Sequence, residues 1–325
     1  MVGVSPAEEQ RYQGIPVTRN RGGLRRALYP GRVPDAPLPA DLQADLDLAL
    51  RLADAADAES LARFDAADLR VSLKADRSHV TDADLATERA IRALLGAERP
   101  SDGIFGEEFG SEGQTVRQWI VDPIDGTANF LRGVPIWGTM IALAVDGVPL
   151  IGVVSMPALG RRWWGVVGHG AWTGETQTSG AAGASDGRDG LSQRIRVSDV
   201  SALDQASVSF QSIAQWDAAG RLGSLIALSR RVWRDRAYGD VYSYMLLAEG
   251  RVDMVAEFDV KEYDIAAAVA IVQAAGGRAT AIGGEETLSD RSILATNGLL
   301  HDGFLAMLAD DVPVVAEVTA RPEGE

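Results

Sequence analysis

The chain has 325 residues, a hydrophobic fraction of 46% and a formal net charge of −15, so it is long enough for one large or two ordinary domains with a full core. The excess of negative charge argues against a nucleic-acid or anionic-membrane partner. The absence of Cys excludes disulfides, thiolate metal sites and a Cys nucleophile, and three scattered His residues argue against a His-based zinc site.

The two ends of the chain differ in composition from its body. In residues 1–38, Arg outnumbers the acidic residues, Pro and Gly are frequent, and no periodicity is present. This composition predicts a disordered or surface-wrapping arm. A basic arm that contacts the acidic body or a partner subunit is the alternative. Residues 313–325 form an acidic tail, and because no apolar run could span a bilayer and no secretory segment follows the start, we expect a cytoplasmic protein.

Two helices are predicted before residue 100. Apolar residues recur at helical spacing over residues 42–53, which predicts a helix that begins near Asp41, with Asp41 as its N-cap. Thr81 is predicted to cap a second helix that runs from about Asp82 to Leu95. Asp84 then lies in the first helical turn, where the helix dipole favours a carboxylate, so capping alone could account for it.

The most informative stretch is residues 119–130, Trp-Ile-Val-Asp-Pro-Ile-Asp-Gly-Thr-Ala-Asn-Phe. Its apolar, β-prone start predicts a buried strand that ends at Asp122, and Pro123 stiffens the turn that follows. Asp125 comes three residues after Asp122, and Gly126 allows the backbone to approach a ligand closely.

This turn carries the donors of an all-oxygen site. Two carboxylates, a backbone carbonyl between them and the Thr127 hydroxyl suit a hard cation such as Mg²⁺ better than zinc. An ordinary Asp-Gly turn is the alternative, and Asp146-Gly147 is a plainer example in the same chain. Residues 119–130 together are a more specific signal for a cation site, because each residue has a role that a simple turn does not require.

Acidic residues also follow two other predicted strands. Glu107 and Glu108 come after the short strand Ile104-Phe105, in a Gly-rich turn that would ordinarily be only solvated surface. Asp264 lies between the predicted strand Val252–Phe258 and an apolar helix, Ile265–Ala275, that Gly276-Gly277 ends. Capping is again the alternative explanation for Asp264.

The remaining patterns set the predicted domain organisation. Apolar runs on both sides of Asp146-Gly147 predict a hairpin over Thr139–Pro157, and residues 163–172 predict another strand pair. Residues 174–190 form a low-complexity loop, after which we place a domain boundary. Residues 39–190 are then an α+β half and residues 191–312 an α/β half, in which strand and helix signals alternate.

Residues 122–130 resemble the signature of the inositol monophosphatase family, Asp-Pro-Ile/Leu-Asp-Gly-Thr-x-Asn-Phe. Residues 74–84, 106–108 and 263–267 are similar to three further motifs of that family, in the same order. The resemblance implies an α+β and α/β fold, the layered αβαβα sandwich of the inositol monophosphatase and fructose-1,6-bisphosphatase type. The site would lie in the cleft between the two halves, and the protein would be a homodimer.

The resemblance also implies the metal site and its chemistry. The implied metal ligands, for two or three Mg²⁺ ions with Mn²⁺ as an alternative, are Glu107, Asp122, the Ile124 carbonyl, Asp125 and Asp264. Asp84 would pair with Thr127 to orient and activate the attacking water, and Glu107 completes the implied catalytic set. No covalent enzyme intermediate is required.

Several other segments are similar to the bacterial histidinol-phosphate phosphatase branch, among them residues 157–164, 236–240 and 296–302. Asp240 stands where inositol-type members carry a small neutral residue, and an extra carboxylate suits a substrate with an ammonium or imidazolium group. The alternative is that Asp240 caps the helix that starts there. Glu257 has the spacing to Asp264 that marks a substrate-contacting Glu in the family. The predicted substrate-contacting residues are Ile124, Asp125, Gly126, Thr127, Arg236, Asp240, Glu257 and Asp264.

These residues predict a Mg²⁺-dependent phosphomonoesterase that acts on a small molecule, L-histidinol phosphate, in histidine biosynthesis. Ala128 and Tyr263 depart from the usual Lys of that branch and Trp of the family. Alternatives are an inositol-1-monophosphatase, a related sugar or nucleotide phosphatase, and a non-catalytic regulatory relative that binds a phosphate ligand. The complete ligand set argues against the last, because a pure binder need not keep the pair formed by Asp84 and Thr127.

Overall fold

The computed structural model describes residues 38–74, 78–176 and 192–309. The helices are α1 (Ala40–Arg63), α2 (Asp82–Glu98), α3 (Thr127–Leu131), α4 (Ile213–Ala218), α5 (Leu222–Ser229), α6 (Asp240–Ala248), α7 (Glu262–Ala274) and α8 (His301–Ala309). The strands of the first half are β1 (Val71–Leu73), β2 (His79–Thr81), β3 (Gly103–Gly106), β4 (Gly110–Glu112), β5 (Arg117–Asp125), β6 (Gly138–Val145), β7 (Val148–Met156), β8 (Arg161–Val166) and β9 (Gly170–Glu175). Those of the second half are β10 (Gln193–Ile195), β11 (Ser207–Phe210), β12 (Arg234–Arg236), β13 (Met254–Phe258), β14 (Arg278–Thr280) and β15 (Ser292–Thr296).

The elements stack in five layers. An eight-stranded sheet in the order β10-β9-β8-β7-β6-β5-β3-β4 has α1 and α2 on one face and α6 and α7 on the other. A five-stranded sheet, β12-β11-β13-β15-β14, covers the opposite side of α6 and α7, and its outer face packs on α4, α5 and α8. Helices α6 and α7 are therefore covered by apolar side chains of both sheets. The predicted αβαβα sandwich is confirmed.

Strand β5 shows how the sequence produces this layering. Trp119 and Val121 point into the core under α1 and α2, whereas Ile120 points into the core around α7, as the two-residue period of a strand requires. The sequence of a strand that is buried on both faces is a continuous run of apolar residues. The predicted hairpin at Asp146-Gly147 is confirmed, because β6 and β7 flank it in antiparallel register.

Three predicted helix ends were wrong. Asp41 lies inside the first turn of α1, because the helix begins at Ala40 with Pro39 in the cap position. Helix α2 continues past Leu95 to Glu98, and α7 begins at Glu262 rather than at Ile265. The predicted cap of α2 is confirmed, since the Thr81 hydroxyl accepts the backbone N–H groups of Ala83 and Asp84.

Several expectations concern parts of the chain outside the described residues. These are the arm at 1–37, nearly all of the 174–190 loop and the tail at 313–325. The boundary near residue 190 therefore stays a prediction. Among the described helices, none combines the length and the apolarity that a membrane crossing requires.

A buried ion pair joins α1 to the large sheet. Arg162 in β8 is 5% exposed and donates at 2.7 Å to Asp57, which is 1% exposed, and at 2.7 Å to Asp54. Ser155 also donates to Asp57 at 2.8 Å. Burial raises the pKa of Asp57, whereas the charge of Arg162 lowers it. Arg162 therefore has a structural role, although its segment is one of those that resemble the phosphatase branch.

We expect Arg162→Met to lower the free energy of unfolding by about 3–5 kcal/mol, because it leaves a buried carboxylate without its cation. Urea unfolding at pH 7 measures this change. The control is Arg51→Met, since Arg51 and Glu98 form an exposed pair and its loss should lower the free energy of unfolding much less. Equal losses in the two variants would contradict the role of Arg162.

Candidate active site

The centre of the site is the end of β5, where the strand continues through a bulge instead of ending at Asp122 as predicted. Asp122 lies opposite Met140 and Asp125 opposite Gly138, so β5 has one residue more than β6 between these pairs. Pro123 has no N–H for the ladder, which favours a bulge at this position. The Asp122 carboxylate accepts the Ile124 N–H at 3.0 Å. The bulge thus lies between the two carboxylate residues of the predicted metal turn.

Gly126 connects β5 to the short helix α3. It has φ +85°, and a Cβ atom there would lie 3.0 Å from the Ile136 carbonyl oxygen, so a side chain is disfavoured on both counts. The next residue, Thr127, directs its hydroxyl to the Ile124 carbonyl at 3.0 Å and to Asp84 Oδ1 at 3.3 Å. The structure therefore brings together Asp84 and Thr127, which are 43 residues apart in the chain.

Asp84 combines the capping and pairing roles that the sequence left open. Its Oδ2 accepts the Thr81 N–H at 2.8 Å and the Thr81 hydroxyl at 2.6 Å, which completes the capping box of α2. Its Oδ1 remains for Thr127. Burial raises the pKa of Asp84, while the hydrogen bonds from Thr81 lower it. One carboxylate thus fixes the helix end and reaches the centre of the site.

The turn after β3 carries Glu107 and Glu108, and both pair with the Lys74 ammonium at 2.8 Å. A buried residue that the sequence analysis missed, Glu88 of α2, holds this turn by accepting the N–H of Glu108 at 2.7 Å. Gly106 is required for this contact, because a Cβ atom there would lie 2.0 Å from a Glu88 carboxylate oxygen. The only sequence signal for Glu88 is its helical spacing to Arg92, which is common on solvated helix faces.

Asp264 lies in the first turn of α7, where its Oδ2 accepts the Lys261 N–H at 2.8 Å. The predicted capping role is therefore present, and it uses one of the two oxygens. Tyr263 is buried beside it and makes an edge contact with Phe105, with 5.6 Å between ring centroids. Tyr thus supplies the buried aromatic group expected at this position.

Two contacts join the halves at the N-terminus of α6. Asp125 Oδ2 accepts the Val241 N–H at 2.7 Å, so the first half caps a helix of the second. Asp240 Oδ2 accepts from Asn129 Nδ2 at 2.6 Å. The alternative that Asp240 itself caps α6 was wrong: it is the first residue of the helix, with φ +45°, and among the described residues its side chain accepts a hydrogen bond from Asn129 rather than from the helix backbone.

A small cavity of about 40 Å³ opens beside these contacts. Four of the acidic residues predicted from the sequence line it: Asp125, Asp240, Glu257 and Asp264. Its other lining residues are Gln211, Gln215, Val241, Tyr244, Asp259 and Val260. Arg236 is not among them: it is exposed at the end of β12, and its guanidinium donates to the carbonyl of the preceding residue at 2.6 Å. Its predicted substrate contact has no support in this arrangement.

Burial and mutual repulsion dominate the electrostatics of the site. Burial raises the pKa of Asp122 well above its ordinary range, and the charges of Glu107, Asp125 and Asp264 raise it further. Burial also raises the pKa of Asp125, with Asp240 as the strongest charged neighbour. It raises the pKa of Asp264 to about 7.

The donor set suits a divalent cation, although the side chains are not gathered around one. Among the described residues, no three acidic or histidine side chains converge closely enough to ligate a single ion as they stand. Lys74 holds Glu107, and one oxygen each of Asp125 and Asp264 caps a helix. Buried carboxylates that raise one another's pKa are nevertheless stabilised by a hard cation with oxygen ligands. The chemistry of these residues therefore fits Mg²⁺.

The model of the inositol monophosphatase family matches residues 41–312 of this chain. The chain is 51% identical over 265 residues to the histidinol-phosphatase of Mycobacterium tuberculosis, a match that covers 81% of this chain and 97% of that protein. It is 47% identical over 268 residues to the histidinol-phosphatase of Streptomyces coelicolor, which covers 81% of this chain and 96% of the relative.

Solved structures share the fold. An inositol monophosphatase from Zymomonas mobilis matches with a TM-score of 0.69 and 31% sequence identity, over 84% of this chain and 100% of that structure. An inositol monophosphatase from Anabaena matches with a TM-score of 0.69 and 27% identity, over 84% and 98%.

Proposed function

Because this chain belongs to the inositol monophosphatase family and is a phosphoric monoester hydrolase, we propose that its substrate is L-histidinol phosphate, which it hydrolyses to L-histidinol and phosphate. One observation carries the choice of substrate: Asp240 and Glu257 line the same cavity as Asp125 and Asp264. Two relatives that match this chain over nearly their whole length, at about half identity, are histidinol-phosphatases.

The proposed metal ligands are those predicted from the sequence, with Mg²⁺ as the cation: Glu107, Asp122, the Ile124 carbonyl, Asp125 and Asp264. Bound cations would supply charge neutralisation at the phosphate and acidify water. Glu107 would then give up its contact with Lys74, which is 2.8 Å long, to bind the cation.

The Thr127 hydroxyl and Asp84 are proposed to orient the attacking water. The Thr127 hydroxyl donates a hydrogen bond to Asp84 or to the Ile124 carbonyl, so its lone pairs remain available to accept a hydrogen bond from water. When the water gives a proton to the Thr127 oxygen, the Thr127 proton passes to the Asp84 carboxylate. Asp84 is held in place by two hydrogen bonds from Thr81. The pair is therefore positioned before substrate binds, as a general-base relay requires.

The acidic cavity is proposed to bind the leaving group. Burial raises the pKa of Glu257 to about 8, and the charge of Asp240 adds to the increase. Two carboxylates close together near a phosphate are unfavourable unless the substrate brings a cation. Histidinol phosphate carries an ammonium group and an imidazole that can be protonated, whereas a polyol carries neither.

We expect a phosphate-release assay with Mg²⁺ to show higher kcat/KM for histidinol phosphate than for inositol 1-phosphate, fructose 1,6-bisphosphate or adenosine 3′,5′-bisphosphate. Asp240→Asn should lower kcat/KM for histidinol phosphate by about 10- to 100-fold, because it removes a charge-assisted contact with the cationic group of this substrate. The value of kcat/KM for inositol 1-phosphate should change much less. Asn tolerates the positive φ of this position, so the backbone should be retained.

The matched control for that variant is Asp65→Asn, an exposed Asp with φ +58° that does not line the cavity. It should leave both rates unchanged. An unchanged substrate ratio in Asp240→Asn would remove the argument from charge, and a wild-type preference for inositol 1-phosphate would support the inositol monophosphatase alternative. The cytoplasmic location and the homodimer stay predictions.

A further inference from the structure

Three side chains that line the leaving-group cavity each carry a buried oxygen atom without a hydrogen-bond donor among the described residues: Gln211 Oε1, Gln215 Oε1 and Glu257 Oε1. All three side chains line the same cavity. Buried acceptors in folded proteins are nearly always paired, so three unpaired ones on one small cavity require an explanation. A ligand with several donors is the simplest.

Each of these side chains is held by a defined part of the fold. Glu257 is 4% exposed, and its other oxygen, Oε2, accepts the buried Tyr244 hydroxyl at 3.0 Å. Gln211 directly follows β11, which pairs in parallel with β13, the strand that carries Glu257. The Tyr244 hydrogen bond uses Oε2 of Glu257 and leaves Oε1 as an acceptor without a partner among the described residues. The pairing of β11 with β13 places Gln211 beside Glu257.

Gln215 lies in α4, next to a buried anchor. Its N–H donates to the Ser212 hydroxyl at 3.2 Å, which caps the helix. The following residue, Trp216, is fully buried and packs edge-on against Phe258, with 5.0 Å between ring centroids. Phe258 follows Glu257 in β13 and points to the opposite face of the sheet, so its contact with Trp216 holds α4 against this strand, where Gln215 and Glu257 line the same cavity.

The chemistry of these acceptors selects the kind of ligand. A hydroxyl group donates one hydrogen bond and presents lone pairs of its own, whereas an ammonium donates three and an imidazolium two without accepting any. Two donors that line the cavity are already used, since Tyr244 donates to Glu257 and the Val241 N–H donates to Asp125. The unpaired buried atoms of Gln211, Gln215 and Glu257 are all acceptors, so a group that only donates fits them better than a polyol.

We propose that Gln211, Gln215 and Glu257 form an acceptor wall that binds the nitrogen-bearing end of the substrate through its N–H groups. This inference rests on the proposed function, because histidinol phosphate is the substrate that carries such groups. It assigns substrate specificity to two glutamines that no sequence motif distinguished.

The test uses Gln211→Met and Gln215→Met, singly and combined, which keep side-chain length and remove the acceptor. Gln273→Met in α7 is the matched control, a half-buried glutamine that does not line the cavity. KM and kcat are measured for histidinol phosphate and for p-nitrophenyl phosphate, whose leaving group has no N–H donor. Inhibition of p-nitrophenyl phosphate hydrolysis by L-histidinol gives a second measurement.

Each single cavity variant should raise KM for histidinol phosphate and the inhibition constant of L-histidinol by roughly 10-fold, the loss expected for a hydrogen bond to a charged group. Hydrolysis of p-nitrophenyl phosphate should stay within about twofold of wild type. Gln215→Glu keeps an acceptor and should keep L-histidinol inhibition within about threefold.

The outcomes separate the wall from the proposed function. If wild type prefers histidinol phosphate and the double variant leaves KM and inhibition unchanged, the wall is wrong and the proposed function stands. If p-nitrophenyl phosphate hydrolysis falls equally, the glutamines are structural and the wall is also wrong. If wild type does not hydrolyse histidinol phosphate, the proposed function is wrong. In that case, inhibition of the wild type by L-histidinol that is weaker in the double variant would still support the wall. If L-histidinol does not inhibit the wild type, the wall is wrong as well.

Discussion

We expect Asp122→Asn to abolish Mg²⁺-dependent phosphatase activity while the fold is retained. Asp122 is 2% exposed and lies among the charges of Glu107, Asp125 and Asp264. The amide has almost the same volume and can still accept the Ile124 N–H, which Asp122 accepts at 3.0 Å. The substitution therefore removes one negative charge from the proposed cation site and little else.

The same variant should show opposite effects on stability with and without Mg²⁺. The pKa of Asp122 in the folded chain is raised by burial and by its acidic neighbours, so its ionised form destabilises the fold as pH rises above the ordinary Asp range. At pH 7 with EDTA, Asp122→Asn should therefore unfold at the same or a higher temperature than wild type. Added Mg²⁺ should raise the unfolding temperature of wild type and not that of the variant.

The control for Asp122→Asn is Asp146→Asn, at the exposed turn between β6 and β7 in the same sheet. Asp146 has φ +51°, which Asn also tolerates. It should keep wild-type activity and the full response to Mg²⁺. Activity near the wild-type level in Asp122→Asn would contradict the proposed metal site, and a lower unfolding temperature in EDTA would contradict the electrostatic account.

Thr127→Ala should lower kcat by ~10²–10⁴-fold, the range for removal of a positioned acid–base partner. The Thr127 hydroxyl is 3.3 Å from Asp84 Oδ1 and 3.0 Å from the Ile124 carbonyl. Loss of this hydroxyl removes the proposed acceptor of the water proton but leaves the acidic residues in place. The stabilisation by Mg²⁺ should therefore remain close to that of wild type.

Thr127→Ser separates the hydroxyl from the methyl group. Serine keeps both hydrogen-bonding options, so kcat should stay within about tenfold of wild type. If Thr127→Ser is as inactive as Thr127→Ala, the methyl packing rather than the hydroxyl is important. If calorimetry shows that Thr127→Ala no longer binds Mg²⁺, Thr127 acts on the metal site and not on the water.

Local sequence patterns were sufficient to predict the secondary structure around the acidic residues. The apolar run before Asp122, the Thr81 cap and the Asp146-Gly147 hairpin depend on interactions within a few residues, and the structure contains all three. The resemblance to family motifs supplied the layered fold and the positions of the carboxylates in it. The ends of helices were less predictable: α7 begins at Glu262, before its apolar run, where Asp264 accepts the Lys261 N–H.

Only the tertiary structure decided which residues share the site and what each contact does. Asp125 caps a helix 116 residues away, which left Asp240 free of the capping role that its position suggested. Gln211 and Gln215 lie in the cavity because β11 pairs with β13, and no local pattern distinguishes them from surface glutamines. Local sequence determines short-range hydrogen bonds and periodicity, whereas the partners of a buried polar group depend on which distant strands and helices pack around it.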